Sequence, residues 1–82
     1  NAEVPVAEHL LVVRNDDRPG VIGVVGTILG EAAVNIADMD VGRTVEPGSA
    51  MMIISPTEPV ADDVLARLRA APGITSVHPL AG

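Results

Sequence analysis

Apolar and polar positions along this chain change period several times, and each change marks an element. Leu10-Leu11-Val12-Val13 is a short apolar run closed by Arg14 and Asn15, which predicts a strand from about His9 covered on at least one face. Asn15-Asp16-Asp17-Arg18-Pro19-Gly20 is a dense turn signal, with Asp17 or Asn15 expected to cap a following helix. Val21, Val25, Ile28 and Ala32 then recur at i, i+4, i+7 and i+11, widened by Ile22 and Leu29. That spacing predicts a helix beginning near Pro19 to Val21 and ending about Ala32, despite its β-branched residues and glycines.

From Val34 to Arg43 the alternation is broken. Val34 and Ile36 share one parity and Met39 and Val41 the other, so a β-bulge near Ala37-Asp38 is expected to bring all four to one face of an edge strand. Val45 to Ser49 reads as a turn, and Ala50 to Ile54 as a central strand. Pro56 and Pro59 punctuate the next connection, with Thr57 or Glu58 as expected caps and Asp62 and Asp63 suited to a helix first turn. Val60, Val64, Leu65, Leu68 and Ala71 form an amphipathic stripe opposite Asp63, Arg67 and Arg69. Ala71-Pro72-Gly73 stops that helix, and Ile74 to His78 is the last predicted strand.

The order strand, helix, strand, strand, helix, strand predicts an α+β fold. It is a ferredoxin-like βαββαβ sandwich, one four-stranded antiparallel sheet with two helices on one face. The other face of the sheet carries alternate residues of the same apolar strands, and nothing in the chain remains to cover it. The first helix is also bare, since only Glu31 is ionised between Gly20 and Ala33. Gly23, Gly26 and Gly30 serve either helix-to-sheet packing within one copy or close approach of another subunit. Together these features predict that the domain self-associates or docks on a partner.

Composition narrows the partners. The chain is 82 residues, 48% hydrophobic, with no aromatic residue and no cysteine, so its core is aliphatic and it offers no stacking platform for bases or sugars. Five arginines against eleven carboxylates give a net charge of −6, which repels a phosphate backbone and an anionic membrane. No apolar run reaches the length of a membrane span, so a cytoplasmic location is expected. Residues 1–7 read as a linker or tag remnant and 8–82 as one domain; the Asn1-Ala2 start suggests a module cut from a longer protein.

Catalytic chemistry is hard to assemble. His9 and His78 are the only histidines and neither has the carboxylate pattern of an acid/base or metal site. Asp16-Asp17 and Asp62-Asp63 are better read as caps and solvated charge than as metal ligands. Gly20-x-x-Gly23-x-x-Gly26 lacks the spacing of the dinucleotide fingerprint, and the acidic charge defeats a nucleic-acid clamp. What survives is a binding site at the helix start. Unpaired N–H groups near Gly20 to Ile22 can hold a carboxylate, while Asp16 or Asp17 and the Asn35 amide can hold an ammonium and a hydroxyl. The plainer alternative is a capped turn and a strand-leading asparagine.

Asp17-Arg18-Pro19-Gly20-Val21, Val34-Asn35-Ile36-Ala37 and Met39-Asp40-Val41-Gly42-Arg43 together resemble the ACT domain, a small-molecule-binding regulatory module of amino-acid metabolism. The resemblance runs from about Glu8 to Leu80. Within that family, Asn35 to Arg43 and Ser49 to Met52 are most similar to the C-terminal regulatory domain of D-3-phosphoglycerate dehydrogenases. The ACT domain of iron–sulfur L-serine dehydratases has a similar pattern. The resemblance implies two domains paired side by side with L-serine, or another small amino acid, bound between them as feedback inhibitor. It assigns one side of the site to Asn15, Asp16, Asp17, Arg18, Pro19, Gly20 and Val21, and the other to Asn35 and Ile36 of the neighbouring copy. Where serine-binding members carry a histidine and an asparagine, this chain has Asn15 and Asp17. The resemblance further implies a non-catalytic domain without cofactor or metal, in a parent enzyme that uses NAD. A pairing module that binds no ligand is the alternative of another class.

Overall fold

The computed structural model describes residues 9–81. The expected linker at 1–7 lies outside them. In chain order the elements are β1 (His9–Asp16), α1 (Val21–Glu31), β2 (Ile36–Arg43), β3 (Ser49–Pro56), α2 (Asp62–Ala70) and β4 (Ile74–Ala81). The strands form one antiparallel sheet in the order β2-β3-β1-β4, so the predicted ferredoxin-like arrangement is the observed one.

Strand parity decides which residues face the helices. Leu11 and Val13 of β1 stand beside Ile54 and Met52 of β3, and Val13 beside Val77 of β4. All are buried, under Val21, Val25, Ile28 and Leu29 of α1 and Val64, Leu65 and Leu68 of α2. The core is thus entirely aliphatic, filled by two helices whose apolar stripes meet one sheet face. The pairing register of β2 shifts between Ile36 and Asp38, which is the expected bulge, and Ile36 and Met39 consequently both pack against the core.

Several boundaries and contacts differ from the sequence expectations. Neither helix has a side-chain cap: α1 starts from Gly20 at φ 92° and α2 from Ala61. Asn15 cannot cap α1 because it is still in β1, paired with Ala50 and Ile74. Thr57 instead donates to the Asn35 carbonyl, through its N–H at 2.9 Å and its hydroxyl at 3.3 Å. β2 begins at Ile36 rather than Val34, because Val34 N–H bonds to Leu29 O and Ala33 takes φ 58° in closing the end of α1. β4 continues past His78 to Ala81, with Pro79 paired to Leu11; an edge strand tolerates that proline. Ile22, counted in the core stripe, is 48% exposed and lies on the outer face with the glycines.

Candidate functional site

Three connections meet at the end of the sheet where β1 finishes. The β1–α1 loop is tied to the α2–β4 turn by Asp16 N–H bonding to Gly73 O at 2.8 Å, and to the β2–β3 hairpin by Asp17 N–H bonding to Gly48 O at 2.9 Å. Both acceptors follow a proline and have positive φ, the signature of a turn that presents its carbonyl outward. The twin Pro47-Gly48 and Pro72-Gly73 pairs were the sequence signal for these anchors.

Side chains tighten the same corner. Arg43 Nε lies 3.2 Å from Asp17 Oδ2, and Arg18 Nε 3.7 Å from Asp16 Oδ2; all four side chains are at least 40% exposed. Arg43 therefore holds the carboxylate that the sequence had offered to an ammonium group. Arg18 also covers Gly73, where a Cβ would sit 3.2 Å from its Nη2 and 2.8 Å from Val21 Cγ2. The loop is held between two turns, so its backbone is fixed without a side-chain cap.

Asn15 is the buried polar group of this corner, 4% exposed. Its Nδ2 donates to Asp16 O at 2.9 Å, while its Oδ1 is buried with no hydrogen-bond partner among the described residues. A buried unpartnered carbonyl is costly, and a donor that reached it would relieve that cost; in this copy it has no open surface, and Asn15 does not line the neighbouring cleft. Five residues on, Gly20 turns the chain into α1 at φ 92°. The N–H groups of Val21, Ile22 and Gly23 precede the first helical acceptor bond, Val24 N–H to Gly20 O, and so point outward unpaired by the helix. A cleft of about 190 Å³ lies at this start, lined by Arg18, Pro19, Gly20, Val21, Val24 and Pro72. Of the expected loop residues, Arg18, Pro19, Gly20 and Val21 line this cleft, while Asn15, Asp16 and Asp17 precede it in the same loop and do not line it.

The structure does not bring Asn35 and Ile36 to them. Asn15 pairs with Ala50 and Ile36 with Pro56, six residues apart on β3, so about 20 Å of strand separates the two ends. Asn35 is exposed at the far end of α1, its backbone held by Thr57. Ile36 turns inward to the core. Gly23, Gly26 and Gly30 are exposed and a Cβ at any of them would meet nothing within 4 Å, so they do not serve helix-to-sheet packing within one copy. Among the described residues no three His, Asp or Glu side chains are grouped to hold a metal ion, and no helix is long and apolar enough to cross a membrane.

Residues 9–73 match the ACT domain family. The chain belongs to that family. As an ACT domain it is 37% identical over 75 residues to the D-3-phosphoglycerate dehydrogenase of Synechocystis sp., covering 92% of this chain and 14% of that enzyme. To the D-3-phosphoglycerate dehydrogenase of Bacillus subtilis it is 42% identical over 69 residues, 84% of this chain and 13% of that enzyme. It therefore spans about one-seventh of the length of these relatives. Among solved structures the ACT domain superposes on the acetolactate synthase small subunit of Thermotoga maritima with a TM-score of 0.77, at 21% identity over 90% of this chain and 47% of that one. The ACT domain from the GTP pyrophosphokinase of Chlorobium tepidum gives 0.69 at 15% identity, over 88% of this chain and 95% of that one. These two share the ACT fold.

Proposed function

We propose that this ACT domain is the effector-binding, non-catalytic module of a D-3-phosphoglycerate dehydrogenase in serine biosynthesis, and that L-serine binds between two copies paired side by side. The observation that carries the reading is the half-built site at the start of α1, unpaired helix N–H groups at a small cleft, with the unpartnered Asn15 Oδ1 buried at the foot of the same loop. The N–H groups suit the serine carboxylate and the Asn15 oxygen suits its ammonium. Identity to the dehydrogenases of Synechocystis sp. and Bacillus subtilis favours that parent, with NAD as its cofactor, over an iron–sulfur dehydratase.

The missing half of the site follows from symmetry. β2 is a sheet edge without proline, whereas the other edge, β4, contains Pro79 and lacks that donor. α2 packs beside β4, which leaves α1 over the β2 side with its glycine face outward. A two-fold axis perpendicular to the sheet beside β2 pairs that edge antiparallel with its copy. The partner's β2 then begins where this copy's β2 ends, at the level of the β1–α1 loop. Asn35 and Ile36 of the neighbour come to the helix start, and the two glycine faces approach. Serine binding would favour this paired arrangement and so bias the parent's catalytic domains.

Calorimetric titration with L-serine, with other amino acids as controls, tests the reading. Heat with serine that is lost in Asn35→Ala supports it. A chain that stays paired but gives no heat or thermal shift with any amino acid would instead be a pairing module alone.

A further inference from the structure

The sheet face away from the helices presents a regular grid. Asp40, Ile53, Val12 and His78 stand side by side on β2, β3, β1 and β4, and Gly42, Met51, Arg14 and Ser76 form the next row. Beyond the first row lie Asp38 beside Ser55, and Leu10 beside Leu80. Ile53 is 39% and Leu80 52% exposed, so the middle of the face is apolar and open to water. The face's carboxylates are Asp38 and Asp40 on the β2 rim and Asp16 at the end of β1, which Arg18 engages; the face's arginine, Arg14, stands two strands away from the β2 pair. At strand spacing Arg14 and Asp40 are about 12 Å apart in one copy, too far to pair. Among the described residues Arg14 makes no ion pair. A concavity of about 490 Å³ runs between Arg14 and the β2–β3 hairpin, floored by Gly42, Met51 and Ile53.

We propose that this face is covered by the same face of a second copy, packed sheet on sheet about a two-fold axis parallel to the strands, with Arg14 of each copy reaching Asp40 of the other. Two face-to-face symmetries are open to it. An axis across the strands lays β2 on β2 and gathers Asp38 and Asp40 of both copies at one rim, which like charge opposes. An axis along the strands lays β2 over β4 and β3 over β1. Ile53 then meets Val12, Asp40 stands over His78, and Arg14 comes one row and one strand from Asp40 of the other sheet. Sheets stacked in this way lie about 10 Å apart with strands nearly aligned, which puts the two Cα atoms about 13 Å apart. Across the gap the side chains extend toward each other and together span it, whereas within one copy both stand perpendicular to the sheet and cannot close their separation. The charge pattern therefore selects one symmetry.

The size of the face sets the strength. Four strands of eight residues offer about 500 Å² per copy, near the lower limit for a specific interface, so this contact alone is weak and concentration-dependent. It leaves the β2 edge and the outer face of α1 free, so it is additional to the side-by-side pairing and doubles whatever that pairing forms.

Sedimentation equilibrium of the 82-residue chain and three variants tests the proposal. Arg14→Glu and Asp40→Arg are each expected to weaken the final association step about tenfold or more, and the double variant to restore it. Because the chain has no cysteine, Gly42→Cys and Ser76→Cys chains provide a second measurement: the proposed axis lays Gly42 over Ser76, while each position lies three strands from its own counterpart in the other copy. Mixed and treated with a short bis-maleimide, whose spacer matches the gap between the sheets, they are expected to form the mixed cross-link in preference to either self-linked product. Circular dichroism identifies any variant that fails to fold, and the cysteine pair then decides. No rescue in the folded double variant, or no preference for the mixed cross-link, overturns the proposal. Gly26→Leu, which obstructs the side-by-side contact, is expected to leave both outcomes unchanged, which separates failure of one interface from failure of the other.

Discussion

Gly20 and Gly73 have nearly the same left-handed backbone, φ 92° and 86°, but different surroundings. A Cβ at Gly20 meets nothing within 4 Å, while one at Gly73 would sit 2.8 Å from Val21 Cγ2 in the core. Gly20→Ala is therefore expected to cost about 1 kcal/mol, the strain of φ alone. Gly73→Ala adds a displacement of α1 and is expected to cost about 3 kcal/mol. Urea unfolding midpoints check the order, and equal losses would mean that Val21 moves aside freely. Asn15 presents the opposite case, a buried side chain that contributes little to stability. Its hydrogen bond is to the adjacent residue and its oxygen is unsatisfied, so Asn15→Ala is expected to leave stability within about 1 kcal/mol while removing the serine response. A large loss of stability would show that Asn15 is structural instead. None of this was legible in the sequence, where Asn15 read as a turn residue; its burial follows from β1 running on to Asp16 under α1.

At the scale of elements, periodicity located every strand and helix because each buries one stripe or one parity. The β2 bulge was legible for the same reason, since Ile36 and Met39, of opposite parity, reach one face only with an extra residue, although Val34 lies before the strand and Val41 is half exposed. Caps were not legible, because Asp, Asn and Thr near a helix start have competing partners: Arg43 engages Asp17, and the Asn35 carbonyl engages Thr57. On α1 the pattern showed that the glycine face was bare but not which way it pointed. The structure turns it outward, and this separates two substitutions at one position. Gly26→Ala meets no atom and improves helix propensity, so it is expected to stabilise the folded chain by about 1 kcal/mol, read as a higher melting temperature. Gly26→Leu is expected to keep the fold but weaken self-association, read by sedimentation. The ion pair linking the helices, Arg67 Nη2 to Glu31 Oε1 at 2.6 Å, has side chains 49% and 60% exposed. Arg67→Ala is accordingly expected to cost no more than about 0.5 kcal/mol.

For the whole molecule, the chain's main question is how one site can be assigned to both ends of α1. Asn15 to Val21 and Asn35 were grouped from sequence by resemblance, and a single copy holds them about 20 Å apart. That separation is a matter of topology: β1 and β2 run the same way on either side of β3, so the end of β1 is level with the end of β2 and a strand's length from its start. No side-chain rearrangement closes the gap, and a shared site between symmetric copies has a stoichiometric signature. Asn15→Ala removes the loop half and Asn35→Ala the strand half, so each variant alone is expected to give no serine heat. Mixed in equal amounts and allowed to exchange, they form mixed pairs in half of the cases. Each mixed pair joins the intact loop of one copy to the intact Asn35 of the other in one of its two sites. The mixture is therefore expected to recover about one-quarter of the wild-type sites at wild-type affinity. Sites completed within one copy would recover none.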